Sequence, residues 1–210
     1  MSRERPIIFS GAMVRAILRG DKTQTRRVAK LTPAGHVKEP RGHRRWHPDG
    51  PEADAACPYG KPGDVLWVRE TLHPTCEGFD YAADGTECLD LDEATDEQVE
   101  LWARRCDPDP LTARSVPSIH MPRWAARLFL PVVAVRVERL QEITPSGAIA
   151  EGIRPSCNSM TIDCDSDNPR DDFAGLWDAL QAQRPAGKRA PWEANPWVWV
   201  IEFERTEAKP

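Results

Sequence analysis

The strongest constraint on the fold is the alternation of apolar residues with other residues in two segments of the second half of the chain. The segment RLFLPVVAVRVERLQ (127–141) alternates most clearly, with Pro131 near its start or at a bulge. The closing segment NPWVWVIEFER has a large apolar residue at every second position, so that one strand face would carry Trp197, Trp199, Ile201 and Phe203. We therefore expect a sheet at the centre of the fold.

Shorter segments predict the remaining regular elements. Strand character is found in RPIIF (5–9), TQTRRV (23–28) and VLWVRE (65–70). One helix is expected from Ser10, a good N-cap, to Gly20, and a second from Thr144 to Gly152. A third helix is expected over DDFAGLWDAL, whose apolar stripe consists of Phe173, Leu176, Trp177 and Leu180.

Two stretches interrupt this order of elements. Residues 32–63 are rich in Pro, Gly, His and charge, and residues 73–117 are acidic in the middle, with one helix expected near 96–105. Both are flanked by strand signals, which indicates irregular insertions in a single domain over residues 1–210. We expect an α+β fold around a small β-barrel, with flanking short helices and long loop insertions.

Composition and charge exclude some classes of protein. A net charge of −5 over 210 residues argues against binding nucleic acid through a global positive field, although a local basic cleft is compatible with it. No apolar run has the length of a membrane span, and the N-terminal residues MSRERPIIFSGAM lack the apolar core and cleavage site of a signal peptide. We expect a cytoplasmic protein with no membrane partner.

The cysteines do not indicate a disulfide framework or a strong metal site. The chain has six cysteines and no CxxC motif, so reduced thiols are expected. A zinc site from His36, His43, His47 and Cys57 is an alternative, because His43 and His47 have ligand-like spacing. A polar surface loop explains the same residues, and we predict neither a metal nor another cofactor.

Several motifs together resemble the ASCH domain family, in its larger phage- or prophage-associated form. They are SGAMVRAILRGDKTQTRR, YGKPGDVLWVRET, PSIHMPRWAARLFL, AIAEGI and NPWVWVIEFE. The resemblance extends from residue 5 to residue 204, and its most specific pieces are the GxKTxT turn after the first helix and the strand that follows PGD. It implies a PUA-like β-barrel with flanking helices and a cleft suited to a nucleotide or base.

One branch of that family implies a catalytic site. The small bacterial N4-acetylcytidine amidohydrolases hydrolyse an acyl amide with a lysine, a threonine and a glutamate. Their KTxT motif matches Lys22, Thr23 and Thr25, and their glutamate-bearing helix aligns with AIAEGI and therefore with Glu151. The resemblance thus implies hydrolysis of N4-acylated cytosine nucleosides or related modified bases. This chain is much longer than those enzymes, and its insertions can reshape or cap the cleft.

The chemistry of these residues is consistent with that activity. A threonine hydroxyl is a weak nucleophile and needs a base to remove its proton. Lys22 can be that base if partial burial and the charges of Arg26 and Arg27 lower its pKa, while Glu151 orients the lysine or relays a proton. Spacing alone also fits a solvated Lys22, a strand-forming Thr25 and a solvated Glu151, so the choice stays open at this point.

Other polar residues are candidates for contacts to the substrate. Thr23 and Thr25 share a face of an extended chain, and Glu70 can accept a hydrogen bond from the exocyclic amine of cytosine. The alternative for Arg69 and Glu70 is pairing with other surface charges. The expected substrate-binding residues are Thr23, Arg26, Arg27, Trp67, Arg69 and Glu70.

Two further classes of function remain as alternatives. A non-catalytic RNA- or DNA-binding module would use the same kind of fold and cleft. A nuclease is less favoured, because the sequence has no carboxylate cluster that would hold a catalytic metal. The acidic net charge favours a small ligand over a long polyanion. The acyl group, the choice between free nucleoside and polymer, and the oligomeric state are left open.

Overall fold

The computed structural model describes residues 2–30, 57–104, 114–154 and 168–206, together with the backbone of residues 37–38 and 45–46. The strands in these ranges, β1 to β10 in chain order, are Glu4–Ile8, Gln24–Val28, Val37–Lys38, Arg45–Trp46, Val65–Arg69, Leu72–Pro74, Gly78–Tyr81, Glu87–Asp90, Phe129–Arg139 and Trp197–Phe203. The α-helices, α1 to α4, are Gly11–Leu18, Asp96–Ala103, Pro145–Ala150 and Pro169–Ala182. None of these described helices is long and apolar enough to cross a membrane.

A five-stranded sheet forms the centre of the molecule. Its strand order is β1-β5-β9-β10-β2. Strands β1 and β5 are parallel, whereas β5, β9, β10 and β2 pair antiparallel in succession. The two segments with the clearest alternation are neighbours, as β9 and β10, and the segments predicted as strands at 5–9, 23–28 and 65–70 complete the sheet. The prediction of an α+β fold is confirmed.

The closed barrel expected from the sequence is not formed by the described strands. The sheet is open, with β1 at one edge and β2 at the other. Strand β1 ends at Ile8 because Ser10 begins α1 two residues later. The carbonyl of Ile8 then accepts a hydrogen bond from the Arg27 guanidinium of β2 at 2.7 Å. A side chain, and not a strand ladder, therefore connects the two edges.

Both faces of β10, next to the edge strand β2, are largely buried. Trp199, Ile201 and Phe203 of β10 pack into the main core, which also receives residues of α1. Val198 and Val200 point the other way and pack with residues of α3 and α4. The alternation predicted for the closing strand is confirmed. The face that carries Val198 and Val200 is not exposed to solvent, because helices α3 and α4 cover it.

Helices α1 and α3 begin at the capping residues that the sequence predicts. The Ser10 hydroxyl accepts from the amide of Met13 at 3.4 Å, and the Thr144 hydroxyl accepts from the amide of Gly147 at 3.0 Å. The chain leaves α1 through Gly20, which has a φ of 81°. These caps fix the turn that carries Lys22.

The expectation of irregular structure over residues 73–117 is corrected. This region contributes to a three-stranded antiparallel sheet of β6, β7 and β8, followed by α2, and α2 confirms the helix expected near 96–105. The strands are short, and Gly78 at the start of β7 and Gly85 in the turn before β8 resemble loop signals in the sequence. Leu72, Phe79 and Tyr81 give this sheet its own buried cluster. Of the other insertion, 32–63, the described parts are the β3–β4 pair and the turn from residue 57.

Candidate functional site

The site is built where the turn after α1 meets the end of α3. Lys22 forms an isolated antiparallel bridge with Glu151, and the amide of Thr23 donates to the carbonyl of Ala150 at 2.9 Å. Gly152, which follows Glu151, has a φ of 94°. A Cβ at this position would lie 3.3 Å from the Cβ of Lys22. A glycine is needed for this close approach. Two residues far apart in the sequence are thus held together by backbone contacts.

The side chains of Lys22 and Glu151 form a buried ion pair. Nζ of Lys22 donates to Oε2 of Glu151 at 2.6 Å and to the backbone carbonyl of Glu151 at 2.8 Å. The side chain of Lys22 is fully buried, and that of Glu151 is 5% exposed. Burial lowers the pKa of Lys22; Glu151 opposes this, while Arg27 and Arg26 add to the lowering by repulsion. The pKa of Lys22 is thus lowered, as the sequence led us to expect, and burial is the largest cause.

Arg26 holds the second oxygen of Glu151. Its guanidinium donates to Oε1 of Glu151 at 3.2 Å and to Oε1 of Glu138 at 2.5 Å. Glu138 lies on β9 and was not among the residues predicted for the site. The sequence does contain a signal for Glu138, because β9 is apolar from Phe129 to Val135 and charged residues appear only in its last part, at Arg136, Glu138 and Arg139.

A cavity of about 290 Å³ opens beside this cluster, along the edge strand β2. Thr25 is buried and lines this cavity together with Glu151. The polar lining includes Ser10, Thr25, Arg26, Arg27, Glu151, Gln181 and Arg184. The apolar lining consists of Ile8, Met13, Val28, Phe173, Leu176, Trp177 and Leu180. The cavity therefore lies at the open edge of the sheet, with the end of β1 and α4 as its other walls.

The apolar stripe predicted for α4 has two roles. Phe173 and Trp177 are buried against the sheet, whereas Leu176 is 37% exposed and Leu180 is partly exposed. All four contribute to the cavity lining. The helical periodicity predicted the stripe, but nothing in the sequence indicated that it forms the apolar wall opposite a charged strand.

Thr23 lies apart from Thr25. Its side chain is exposed and borders a second cavity of about 680 Å³, which Lys22 and Gln24 also line. Strand β2 begins only at Gln24, so regular alternation does not extend back to Thr23. Lys22 consequently sits between the two cavities, with its ammonium group directed to Glu151 of the first.

The three residues predicted on the strand at 65–70 do not join this cluster. Trp67 is in the core of the three-stranded sheet, and the Arg69 guanidinium stacks over it at 4.7 Å. Both oxygens of Glu70 accept from Arg127, at 3.0 and 2.8 Å. Glu70 borders a third cavity, of about 350 Å³, which Thr25 does not line. For Glu70 the structure shows the ion pair that the sequence left as an alternative.

The described residues contain no group of three or more His, Cys, Asp or Glu side chains that could hold a metal ion. His36, His43 and His47 of the zinc alternative lie outside the described residues. Cys57, the fourth residue of that alternative, is buried in the main core.

This chain matches no protein-family model, no curated protein and no solved structure with which it was compared. The resemblance to the ASCH domain is therefore one of sequence motifs alone, and the site is interpreted from its own geometry.

Proposed function

We propose that this protein is an amidohydrolase that removes the acyl group from N4-acylated cytosine nucleosides or related modified bases. The observation that carries the proposal is the contact between Lys22 and Glu151, which are 129 positions apart, beside a cavity lined by Thr25. The same three residues are implied by the resemblance to the ASCH family. A PUA-like relationship belongs to this proposal, with the five-stranded sheet and its flanking helices as its support.

The burial of Lys22 supports a chemical role. A buried ion pair gains little stability over apolar residues of the same volume, because both charges must lose water. Groups with a shifted pKa that border a cavity are concentrated in functional sites. Lys22 has a lowered pKa, and its partner Glu151 lines the cavity beside Thr25.

The pair can hold its shared proton in two ways. In the charged form Lys22 is an ammonium and Glu151 a carboxylate; transfer of one proton across the 2.6 Å contact gives a neutral amine and a carboxylic acid. The desolvated surroundings of Lys22 favour the neutral form more than water does. A neutral Lys22 is a base for the Thr25 hydroxyl, and a protonated Glu151 is an acid for a leaving group.

The reaction then proceeds in two halves. Thr25 Oγ1 attacks the amide carbonyl carbon and its proton passes to Lys22, which gives a tetrahedral intermediate. This intermediate expels the exocyclic nitrogen, which takes a proton from Glu151, and leaves an acyl ester on Thr25. Water attacks the ester and gives a proton to the Glu151 carboxylate, Lys22 returns its proton to Thr25 Oγ1 as that oxygen leaves, and the carboxylic acid departs. Arg26 is a positioning residue, because its bonds to Glu138 and Glu151 fix the glutamate.

Turnover of N4-acylated cytidines and cytosines tests the proposal. We expect Lys22→Ala and Thr25→Ala each to lower kcat by about a hundredfold or more, because each removes proton transfer or the nucleophile. Lys30→Ala is the matched control, since Lys30 is an exposed lysine just after β2, and it should retain wild-type turnover. Circular dichroism checks that every variant is folded.

Two further variants test whether Lys22 and Thr25 act together in catalysis or contribute to turnover independently. The double variant of Lys22 and Thr25 should be little worse than either single variant, because residues that act together are not additive. Lys22→Arg should also be inactive, since a guanidinium keeps its proton near neutral pH. If the folded wild type cleaves none of the acylated bases, the protein is a non-catalytic RNA- or DNA-binding module and the proposal is wrong.

A further inference from the structure

The cavity beside Thr25 has more positive than negative charge in its lining. Of the lining cations, Arg26 is paired with Glu138 and with Glu151, and Glu151 is also paired with Lys22, which lies outside the lining. Arg27 and Arg184 line the same cavity. Neither of these two arginines forms an ion pair with a carboxylate of the described residues. Two guanidinium charges are therefore left for a ligand to balance.

Arg27 has a donor that the described part of the protein does not use. One of its terminal nitrogens donates to the carbonyl of Ile8 at 2.7 Å, and the guanidinium lies 5.1 Å from the ring centre of Phe9. Its Nε is buried and has no hydrogen-bond partner among the described residues. Buried donors almost always have a partner in a folded protein. An acceptor on a bound ligand would supply one here.

Arg184 provides the second charge from the opposite wall. It follows the C-cap of α4 directly, and its side chain is exposed at the cavity. The two guanidinium groups interact: burial lowers the pKa of Arg27, Tyr59 and Glu151 oppose this, and repulsion from Arg184 adds to the lowering. An anion between them would relieve this repulsion.

We infer that this cavity takes a ligand with a phosphate monoester, which is bound between Arg27 and Arg184. The substrate is then an acylated cytidine mononucleotide and not the neutral nucleoside. The identity of the base rests on the proposed function, whereas the anion site rests only on the two arginines. Guanidinium groups suit this ligand, because their fork of N–H donors matches phosphate oxygens.

The size of the cavity and the charge of the chain favour a single nucleotide over a polymer. A volume of about 290 Å³ is close to the smallest of small-ligand sites, which span roughly 300–1,000 Å³. A polymer needs a cation for each phosphate along its path, and the chain has a net charge of −5.

Calorimetric titration with product-like ligands tests the inference without requiring hydrolysis. Cytidine 5′-monophosphate should bind the wild type about tenfold more tightly than cytidine, as expected for charge-assisted hydrogen bonds. Arg184→Ala should abolish this preference and leave the affinity for cytidine nearly unchanged. Lys188→Ala is the matched control, because it removes one exposed positive charge close in sequence that does not line the cavity; it should keep the preference.

Ribose 5-phosphate separates the anion site from the proposed reaction. Binding of ribose 5-phosphate that depends on Arg184 supports the anion site even if no acylated cytidine is hydrolysed. Hydrolysis of acylated cytidine with equal affinity for the nucleoside and the nucleotide overturns the inference and leaves the proposed function standing. The inference is also overturned if none of these ligands binds, if Arg184→Ala weakens cytidine and its monophosphate alike, or if a short single-stranded RNA binds more tightly than the mononucleotide.

Discussion

At the residue scale, two opposing effects act on the ammonium group of Lys22. Burial removes the water that stabilises the charged form, whereas Glu151, at 2.6 Å, stabilises it. Burial is the larger effect, so the pKa of Lys22 lies below its ordinary value. A lysine in this state accepts and releases a proton closer to neutral pH than a solvated lysine does.

The lowered pKa of Lys22 predicts a pH dependence of stability. Between the folded pKa and the ordinary lysine value, the unfolded chain holds the proton more strongly than the folded protein. The free energy of unfolding should therefore rise with pH in this window and should not change below it. We expect the wild type to gain stability relative to Lys22→Met as the pH rises from neutral toward the ordinary pKa of lysine. Urea denaturation of both proteins measures the difference; a difference that stays constant or falls would show that burial does not lower this pKa.

How much of the site was predictable is clearest for individual residues. The GxKTxT turn and AIAEGI indicated Lys22, Thr25 and Glu151. Their contact depends on the packing of α3 against the turn, which no local pattern encodes. Glu138 and Arg184 were missed for the same reason, since each reaches the site from a distant element.

At the element scale, the three-stranded sheet depends on glycine at position 78. A Cβ on Gly78 would lie 1.8 Å from the carbonyl oxygen of Leu89, on the neighbouring strand β8. Strands β7 and β8 could not then keep their present register. In the sequence, Gly78 and Gly85 look like loop residues, although they permit the tight approach and the turn of a compact sheet.

Substitution of these glycines tests this interpretation. Gly78→Ala should lower the free energy of unfolding by about 3 kcal/mol or more, because backbone must move to remove the clash. Gly85→Ala is the matched control: its φ is 71°, but a Cβ there meets no atom within 4 Å, so only the backbone strain of about 1 kcal/mol applies. Thermal or chemical denaturation measures both, and equal losses would contradict the steric argument.

At the scale of the whole molecule, Arg127 joins the two sheets. It donates to both oxygens of Glu70, at the end of β5, and to Asp84 at 2.9 Å, in the turn between β7 and β8. Its guanidinium also lies 3.9 Å from the ring centre of Tyr81, whose hydroxyl donates to the carbonyl of Ala125 at 2.7 Å. One side chain thus contacts residues of both sheets.

Removal of Arg127 should therefore weaken the whole fold. Arg127→Met leaves the buried carboxylate of Glu70 without its partner, which costs about 3 kcal/mol or more of stability. Arg104→Ala removes an exposed arginine paired with Glu100 and should cost less than about 0.5 kcal/mol. Urea denaturation compares the two variants. A loss at Arg127 no larger than that at Arg104 would mean that this cluster does not stabilise the joint between the sheets.

The sequence predicted the α+β class of the fold correctly, but it did not predict that the central sheet stays open. The alternating segments determined the sheet, and the short apolar segments at 5–9 and 65–70 completed it. Whether two edge strands pair depends on where the chain turns away, and here Ser10 ends β1 before it could pair with β2. The candidate site lies at this open edge, between Ile8 and Thr25.

The central claim is that Thr25 becomes acylated with the help of the buried Lys22–Glu151 pair. Rapid quenching of the wild type with excess N4-acetylcytidine, followed by intact-mass and peptide mass spectrometry, tests it most directly. We predict a transient form that carries one acetyl group on the peptide containing Thr25, formed as cytidine is released and absent in Thr25→Val. If cytidine accumulates while no acetylated protein forms at any time, and Thr25→Val remains active, water and not Thr25 attacks the amide, and the account is wrong.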